Sequence, residues 1–205
     1  MSYDAFATTF SNSRKNLHWP ELEYIIEDIK DNEYRSILDV GCGNGRFLKE
    51  SEKLWYIADQ YLGVDNSEGM ILEARKLHPE SHFEAIWMQD MVNIEGSFDA
   101  IVFLASFHHL ESQVERIQVL KDIKKLLHPN GRIYMTNWNL REQSKYEKSH
   151  RGNGDFDIKI GEFSRYYHGF TLIELEELFK ETEYEIIENR IFEGGRNLIS
   201  ILTNN

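Results

Sequence analysis

The sequence predicts an α/β fold: a doubly wound, mostly parallel sheet with helices on both faces. Three observations predict it. First, Ser36-Ile37-Leu38-Asp39-Val40 is a short apolar run that breaks into Gly41-Cys42-Gly43-Asn44-Gly45 and resumes at Phe47-Leu48 as the start of a helix. Strand, glycine turn and helix form the layout of a nucleotide-binding crossover. Glycines let a ligand lie against bare backbone, and a helix N-terminus offers unpaired N–H groups. Second, Tyr61-Leu62-Gly63-Val64-Asp65 is another short strand ending in an acid, twenty positions after Gly45. A carboxylate there can accept both ribose hydroxyls of a nucleoside. Third, strand-like runs and helical stretches alternate along the chain, as in a parallel sheet with crossover helices.

The glycine spacing narrows the ligand. A dinucleotide fingerprint reads G-x-G-x-x-G. Here Gly45 comes one residue early, and Arg46 stands where that fingerprint needs glycine.

Length and composition bound the rest. The 205 residues, with three prolines and one cysteine, predict a single domain over 1–205. Cys42 has no partner for an internal disulfide, and its place is explained by the glycine turn. A reduced, cytoplasmic setting is expected. No signal peptide and no run of transmembrane length is read, so no membrane partner is expected. The formal net charge of −12 opposes long-range attraction to phosphate backbones. A local basic patch can still dominate at contact distance.

In chain order, the N-terminal piece is aromatic-rich, with a helix predicted over Ala5–Ser13. Pro20 suits the first turn of a second helix, in which Leu22, Ile25, Ile26 and Ile29 share one face. After Asp65, Asn66-Ser67 is a cap for a helix that turns Met70, Ile71, Ala74 and Leu77 inward. A third strand is predicted over His82–Trp87, ending at Met88-Gln89-Asp90-Met91. It is expected at the sheet edge, where Phe83, Ile86 and Trp87 offer a surface to an activator or a second copy.

Phe98 to Leu104 reads as the fourth strand and runs into Ala105-Ser106-Phe107-His108-His109-Leu110. Ligands of doubly wound sheets bind where strands end, so this segment is expected to face the cleft. Adjacent histidines do not readily share one ion, and no other ligand sits at metal spacing, so no metal is expected. His108 and His109 are candidates for the cleft wall, or for a proton acceptor near neutral pH. Ser112-Gln113-Val114-Glu115 is a capping box that opens a helix with Val114, Ile117, Leu120, Ile123 and Leu127 inward. A turn around Pro129-Asn130-Gly131 leads into a fifth strand, Arg132–Trp138. Residues 139–170 are polar and too long for a plain connection, so a functional loop is expected, with Arg141, Lys145, Lys148 and Arg151 as the best basic cluster. Thr171 to Glu174 reads as a second capping box. Two strands joined through Gly194-Gly195 then form an antiparallel hairpin.

Asp39-Val40-Gly41-Cys42-Gly43-Asn44-Gly45 resembles motif I of the class I S-adenosylmethionine (SAM) methyltransferases, whose pattern is close to D-x-G-x-G-x-G. The resemblance implies a Rossmann-like, seven-stranded sheet finished by the antiparallel hairpin. It implies SAM as cofactor, with the turn from Gly41 to Gly45, including Cys42, Gly43 and Asn44, packed on the methionine part. Asp39 would hold the amino-acid end, and Asp65 with Asn66 the ribose. Met70 would close on the adenosine, Asp90 and Met91 would bind the adenine, and Leu104 with Ala105 would line the donor cleft. The N-terminal helices, about residues 1–31, would act as a lid, and residues 139–170 would lie on the substrate side.

Within that family, Phe10-Ser11-Asn12-Ser13-Arg14, Trp19-Pro20, His108-His109-Leu110, Asn137-Trp138 and Arg165-Tyr166-Tyr167-His168 look like the tRNA wobble-uridine carboxymethyl methyltransferases. Those enzymes esterify the carboxylate of 5-carboxymethyluridine, and eukaryotic members work with a small zinc-binding activator subunit. This implies tRNA as partner, with Arg14, Trp19, Trp138, Arg165, Tyr166 and Tyr167 toward the substrate. Arg14, His108 and His109 would be catalytic. A carboxylate acceptor needs no general base, so the histidines would position it. An acceptor with a proton to lose would make His109 the base. Two other functions share the donor half: methylation of a small molecule, and a non-catalytic SAM-binding partner subunit, the least favoured because Asp39, Gly41, Gly43, Asp65 and Asp90 are all intact.

Overall fold

The computed structural model describes residues 19–160 and 163–204. The helix expected over Ala5–Ser13, and Arg14, lie outside the described residues. Helix α1 (Pro20–Asp31) starts with proline in its first turn and buries Leu22, Ile25, Ile26 and Ile29 completely. Each such side chain stabilises by about 1.5–3 kcal/mol. Strand β1 (Ser36–Val40) and helix α2 (Arg46–Lys53) flank the glycine turn. Strand β2 (Gln60–Asp65), helix α3 (Glu68–Leu77) and strand β3 (His82–Ala85) follow. Then come β4 (Phe98–Leu104), α4 (Gln113–Lys124) and β5 (Leu127–Trp138). Three short strands, β6 (His150–Gly152), β7 (Asp155–Ile160) and β8 (Phe163–His168), precede α5 (Leu172–Glu181), β9 (Tyr184–Ile191) and β10 (Asn197–Asn204).

The main sheet has seven strands in the order β3-β2-β1-β4-β5-β10-β9. Five run parallel, and the β9–β10 hairpin is antiparallel, β10 pairing with β5. Alternation along the strands feeds two cores. Leu38, Ile101, Phe103, Ile133 and Met135 pack with α4 and α5 on one face. Ile37, Ala100, Val102, Tyr134 and Ile199 pack with α1 on the other. Strand order reverses between β1 and β4, so their C-terminal ends diverge into a crevice.

The elements differ from expectation in a few places. Val114 is exposed, because nine positions at about 100° per residue set it opposite the buried Ile123. Leu77, the last residue of α3, is also exposed. Strand β5 begins five residues earlier than expected, with a register shift against β4 between Phe98 and Ala100. The Thr171 hydroxyl caps α5 by accepting from the Glu174 N–H, and the Glu174 carboxylate, which the Thr171 N–H also favours, is shared with His168.

The polar segment expected as a loop is largely a second, three-stranded antiparallel sheet, β6-β7-β8. Asn153 and Gly154 both take positive φ, 53° and 84°, which makes the β6–β7 connection a tight Asn-Gly hairpin turn. Phe156, Ile158, Tyr167 and Leu140 give it a small core, against which Trp138 and Tyr146 pack. Among the described residues, no helix is long and apolar enough to cross a membrane.

The edge strand is β3, as expected, but it is not an apolar surface. Phe83 is buried, set edge-on to Tyr61 at 5.6 Å. Ile86 and Trp87 fall beyond the strand, toward the crevice. Residues His82 and Glu84 pair at 2.7 Å on the exposed side, and Arg75 donates to the Phe83 carbonyl. A short, charged edge is protected against casual strand pairing.

Candidate active site

A cleft open to solvent lies over the C-terminal ends of β1, β2 and β4. Its floor is the glycine turn. The N–H groups of Gly41 and Cys42 both donate to the Val64 carbonyl, at 2.7 and 2.9 Å, which ties the turn to β2. Gly41 has φ +77°, and a Cβ there would fall 2.4 Å from Ser106 Cβ. Only glycine fits between β1 and the β4 loop.

Asp65 fastens the same turn. Its Oδ2 accepts from the Gly43 N–H at 3.0 Å, and its Oδ1 from the Ser67 N–H at 2.9 Å. Ser67 in turn caps α3 by accepting from the Met70 N–H. Asp39 lies deeper. Tyr61 donates its hydroxyl to Asp39 Oδ2 at 2.8 Å, while Oδ1 is buried with no hydrogen-bond partner. Burial pushes the Asp39 carboxyl up to about 7; the Tyr61 bond works against this, and the nearby Asp65 adds to it. Burial, with Asp39 and Asp65 close by, also pushes the Cys42 thiol up, which leaves it an inert part of the turn.

An orphaned buried carboxylate oxygen is costly unless something donates to it. In the cleft floor, beside a glycine cradle and a second strand-end acid, it fits the ammonium of an amino acid joined to a nucleoside. The residues present therefore fit SAM.

The opposite wall is aromatic. Trp138 stacks between Tyr146 at 6.1 Å and Tyr167 at 4.9 Å, with interplanar angles of 19° and 16°. His109 packs on Tyr167 at 4.5 Å and on His108 at 4.6 Å. Because the Tyr166 carbonyl can only accept, His109 Nδ1 donates to it at 3.0 Å. Nε2 is then the bare nitrogen of the neutral ring. Burial pushes the His109 imidazole down to about 4, although the Tyr166 bond raises it. His108 is fully buried behind the wall and accepts from the Trp138 N–H at 3.3 Å. Burial pushes it well below the usual imidazole range, with His109 and His168 adding to the effect. Arg165 also lines the cleft, and burial lowers its guanidinium to about 10, so it stays cationic at neutral pH.

Of the residues singled out in sequence, Asp39, Gly41, Cys42, Gly43, Asn44, Asp65, Asn66, Met70, Leu104 and Ala105 line this cleft. So do Trp19, His109, Trp138, Arg165 and Tyr167. Others stand elsewhere. Gly45 caps α2 in the left-handed region beside His78. His108 sits behind His109. Tyr166 points away, its hydroxyl donating to Asp155 at 2.7 Å. The 3₁₀ turn Met88–Asn93 directs Asp90 to solvent and Met91 into the core, and Met88 and Gln89 line the cleft in their place. Ser106 and Leu110, from the segment expected to face the cleft, also line it, and Arg46, Ile86 and Trp87, which were not anticipated there, complete the lining. Arg46 holds its guanidinium 4.2 Å above the Trp19 ring. The strand-end rule applied to β3 would have found Ile86 to Gln89. Among the described residues, no cluster of three or more histidines, cysteines or acids is placed to hold a metal ion.

Comparison with known proteins agrees with this geometry. Residues 37–131 match the family described as a methyltransferase domain. The fold resembles a crystal structure of an S-adenosylmethionine-dependent methyltransferase from Clostridium acetobutylicum, with TM-score 0.75, 14% identity and 99% of each chain covered. Fold, cleft and domain match together define the class: the chain carries a SAM-dependent methyltransferase domain. Its sequence is similar to two proteins named tRNA (carboxymethyluridine(34)-5-O)-methyltransferase. The mouse protein ALKBH8 is 30% identical over 151 residues, covering 72% of this chain and 21% of that one. The Saccharomyces cerevisiae protein is 27% identical over 151 residues, covering 73% of this chain and 51% of that one. The chain thus spans about a fifth of the mouse relative and about half of the yeast relative.

Proposed function

We propose that this enzyme methylates the carboxylate of a 5-carboxymethyluridine at the wobble position of tRNA. The observation that carries the reading is the acceptor wall: a half-buried arginine, Arg165, beside stacked Trp138 and Tyr167 and a neutral His109. The cation suits an anionic acceptor, and the flat rings suit a nucleobase drawn out of its stack. The relatives' activity supports the same substrate.

When bound, SAM supplies a sulfonium methyl for in-line displacement by a nucleophile. The chain's own residues would do the rest. Asp39 Oδ1 would accept from the amino-acid ammonium, and Asp65 would use its remaining lone pairs for the ribose hydroxyls. Met88 and Gln89 would line the adenine end. Arg165 would orient the acceptor carboxylate, which is already a nucleophile and needs no base. Trp138 and Tyr167 would hold the base and exclude water. The reaction neutralises a cation and an anion, so a dry aromatic cleft favours it. Arg14 would be a further anchor for the acceptor carboxylate. With tRNA as acceptor, the cytoplasm is the expected compartment. An activator subunit or a second copy would be required only if the isolated chain binds SAM without turnover.

The test is transfer of label from SAM to tRNA carrying 5-carboxymethyluridine, followed by mild alkali. Label that enters RNA and is released by alkali is a methyl ester. No label with SAM bound moves the assignment to a small-molecule acceptor or to an enzyme lacking its partner.

A further inference from the structure

A buried charged cluster lies outside the cleft, behind the second sheet. His168, at the end of β8, is 5% exposed in its side chain. Its Nδ1 meets Asp155 Oδ1 of β7 at 2.8 Å, and its Nε2 meets Glu174 Oε1 of α5 at 2.6 Å. Each ring nitrogen thus faces a carboxylate oxygen, and an ionised carboxylate only accepts. Burial pushes the Asp155 carboxyl up, but the bonds from His168 and Tyr166 and the charges of His168 and Arg116 outweigh it. The net result holds Asp155 below the usual carboxylate range. Burial likewise acts against Glu174, and His168, the Thr171 N–H and Arg116 bring it below its ordinary value.

The other groups facing the ring complete the cluster. Arg116 of α4 lies 3.9 Å from Glu174, and Arg141, after β5, lies 3.6 Å from it. The Phe170 ring stands edge-on to His168 at 4.7 Å, and His108 is close enough to feel its charge. Asp155 also accepts from the Tyr166 hydroxyl, which accepts from Arg116 at 3.1 Å. Arg116 donates to the Leu110 carbonyl at 2.9 Å, next to His109. An unbroken chain of bonds thus runs from His168 to the acceptor wall.

We infer that His168 is a positioning residue: its imidazolium, clamped between Asp155 and Glu174, holds β8 so that the Tyr166 carbonyl fixes the tautomer of His109. It acts on the acceptor side of the cleft and leaves the SAM side alone. The inference rests on this cleft being the methyl-transfer site, whichever acceptor it takes.

Nitrogen-resolved spectra of the full chain with isotope-labelled histidine test it without any acceptor. Near neutral pH the wild-type His168 ring shows two protonated nitrogens, and His109 shows a protonated Nδ1 and a bare Nε2. In His168→Gln the fixed His109 tautomer gives way to a mixture, while SAM affinity stays within about threefold, under 1 kcal/mol. A wild-type His168 ring with one bare nitrogen overturns the inference. So does a His109 signature unchanged in His168→Gln. If that variant does not fold, Asp155→Asn, which keeps the ring and weakens one arm of the clamp, is read by the same His109 signals. Failure of tRNA labelling with these signatures intact would remove the wobble-uridine reading and leave the positioning role standing.

Discussion

His109 Nδ1 donates to the Tyr166 backbone carbonyl at 3.0 Å, and this one bond fixes which nitrogen of His109 is bare. The ring lines the cleft while its orientation is set by a strand of the second sheet. His109→Ala should therefore lower kcat/KM for the acceptor by at least about tenfold, through lost positioning, with SAM affinity nearly unchanged. Since burial holds the imidazole near 4, the ring stays neutral through the physiological range. Rate profiles of wild type and variant should differ by a constant factor between pH 6 and 8. An inflection near 6.5 that vanishes in the variant would contradict this.

Asp39 makes a prediction of opposite sign to most carboxylates. Its folded value is raised to about 7, against about 3.9 in an unfolded chain. The folded state therefore binds the extra proton across that window, and stability contributed by Asp39 falls as pH rises from about 4 to 7. Asp39→Asn should stabilise the SAM-free protein at pH 8 by roughly 1–4 kcal/mol, and should do less at pH 4.5. His109 titrates with the opposite slope over nearly the same range, so the measurement is the difference between variant and wild type in urea melts. The same variant should weaken SAM by about tenfold or more, because an amide is a poor partner for an ammonium. A destabilised apo variant at pH 8 would overturn the assignment.

Asp65→Ala should weaken SAM binding by tenfold or more, about 1.4 kcal/mol. It also releases the Gly43 and Ser67 N–H groups, so a lower melting temperature should accompany the loss. Calorimetric titration with SAM checks it. Unchanged affinity would sink the site.

Gly41→Ala should cost about 1–3 kcal/mol from its positive φ alone, and more from the Ser106 contact. Gly195→Ala is the matched control. It has φ +71° and nothing within 4 Å of the added carbon. Chemical denaturation should show a clearly larger loss for Gly41, and equal losses would mean that β1 and the β4 loop are not packed this closely.

Much of this site was legible because it is local. Asp39 and Asp65 stand at or next to the ends of apolar strands, and Gly41 and Gly43 sit in one turn tied to β2. The stripe of Leu22, Ile25, Ile26 and Ile29 reads directly as a buried helix face. The second sheet also carried a signal. Asp155-Phe156-Asp157-Ile158 alternates with period two behind an Asn-Gly turn, but the polar composition around it obscured the pattern. Asp90 and Met91 fall outside the cleft lining for another reason. Whether a strand end continues straight or winds into a 3₁₀ turn depends on packing against α4, where Gln89 donates to Glu115 at 3.1 Å, and that contact is tertiary. His168 was visible only as part of a short motif, because its two carboxylate partners come from different elements.

The central claim is a methyl ester formed on a wobble uridine by this cleft. The most direct measurement is nucleoside mass spectrometry of tRNA containing 5-carboxymethyluridine after incubation with the enzyme and deuterated-methyl SAM. The account predicts one labelled methyl on that nucleoside, lost on alkaline hydrolysis, and clearly less of it with Asp65→Ala at limiting SAM. Label on a ring nitrogen or a ribose, or stable to alkali, would contradict it.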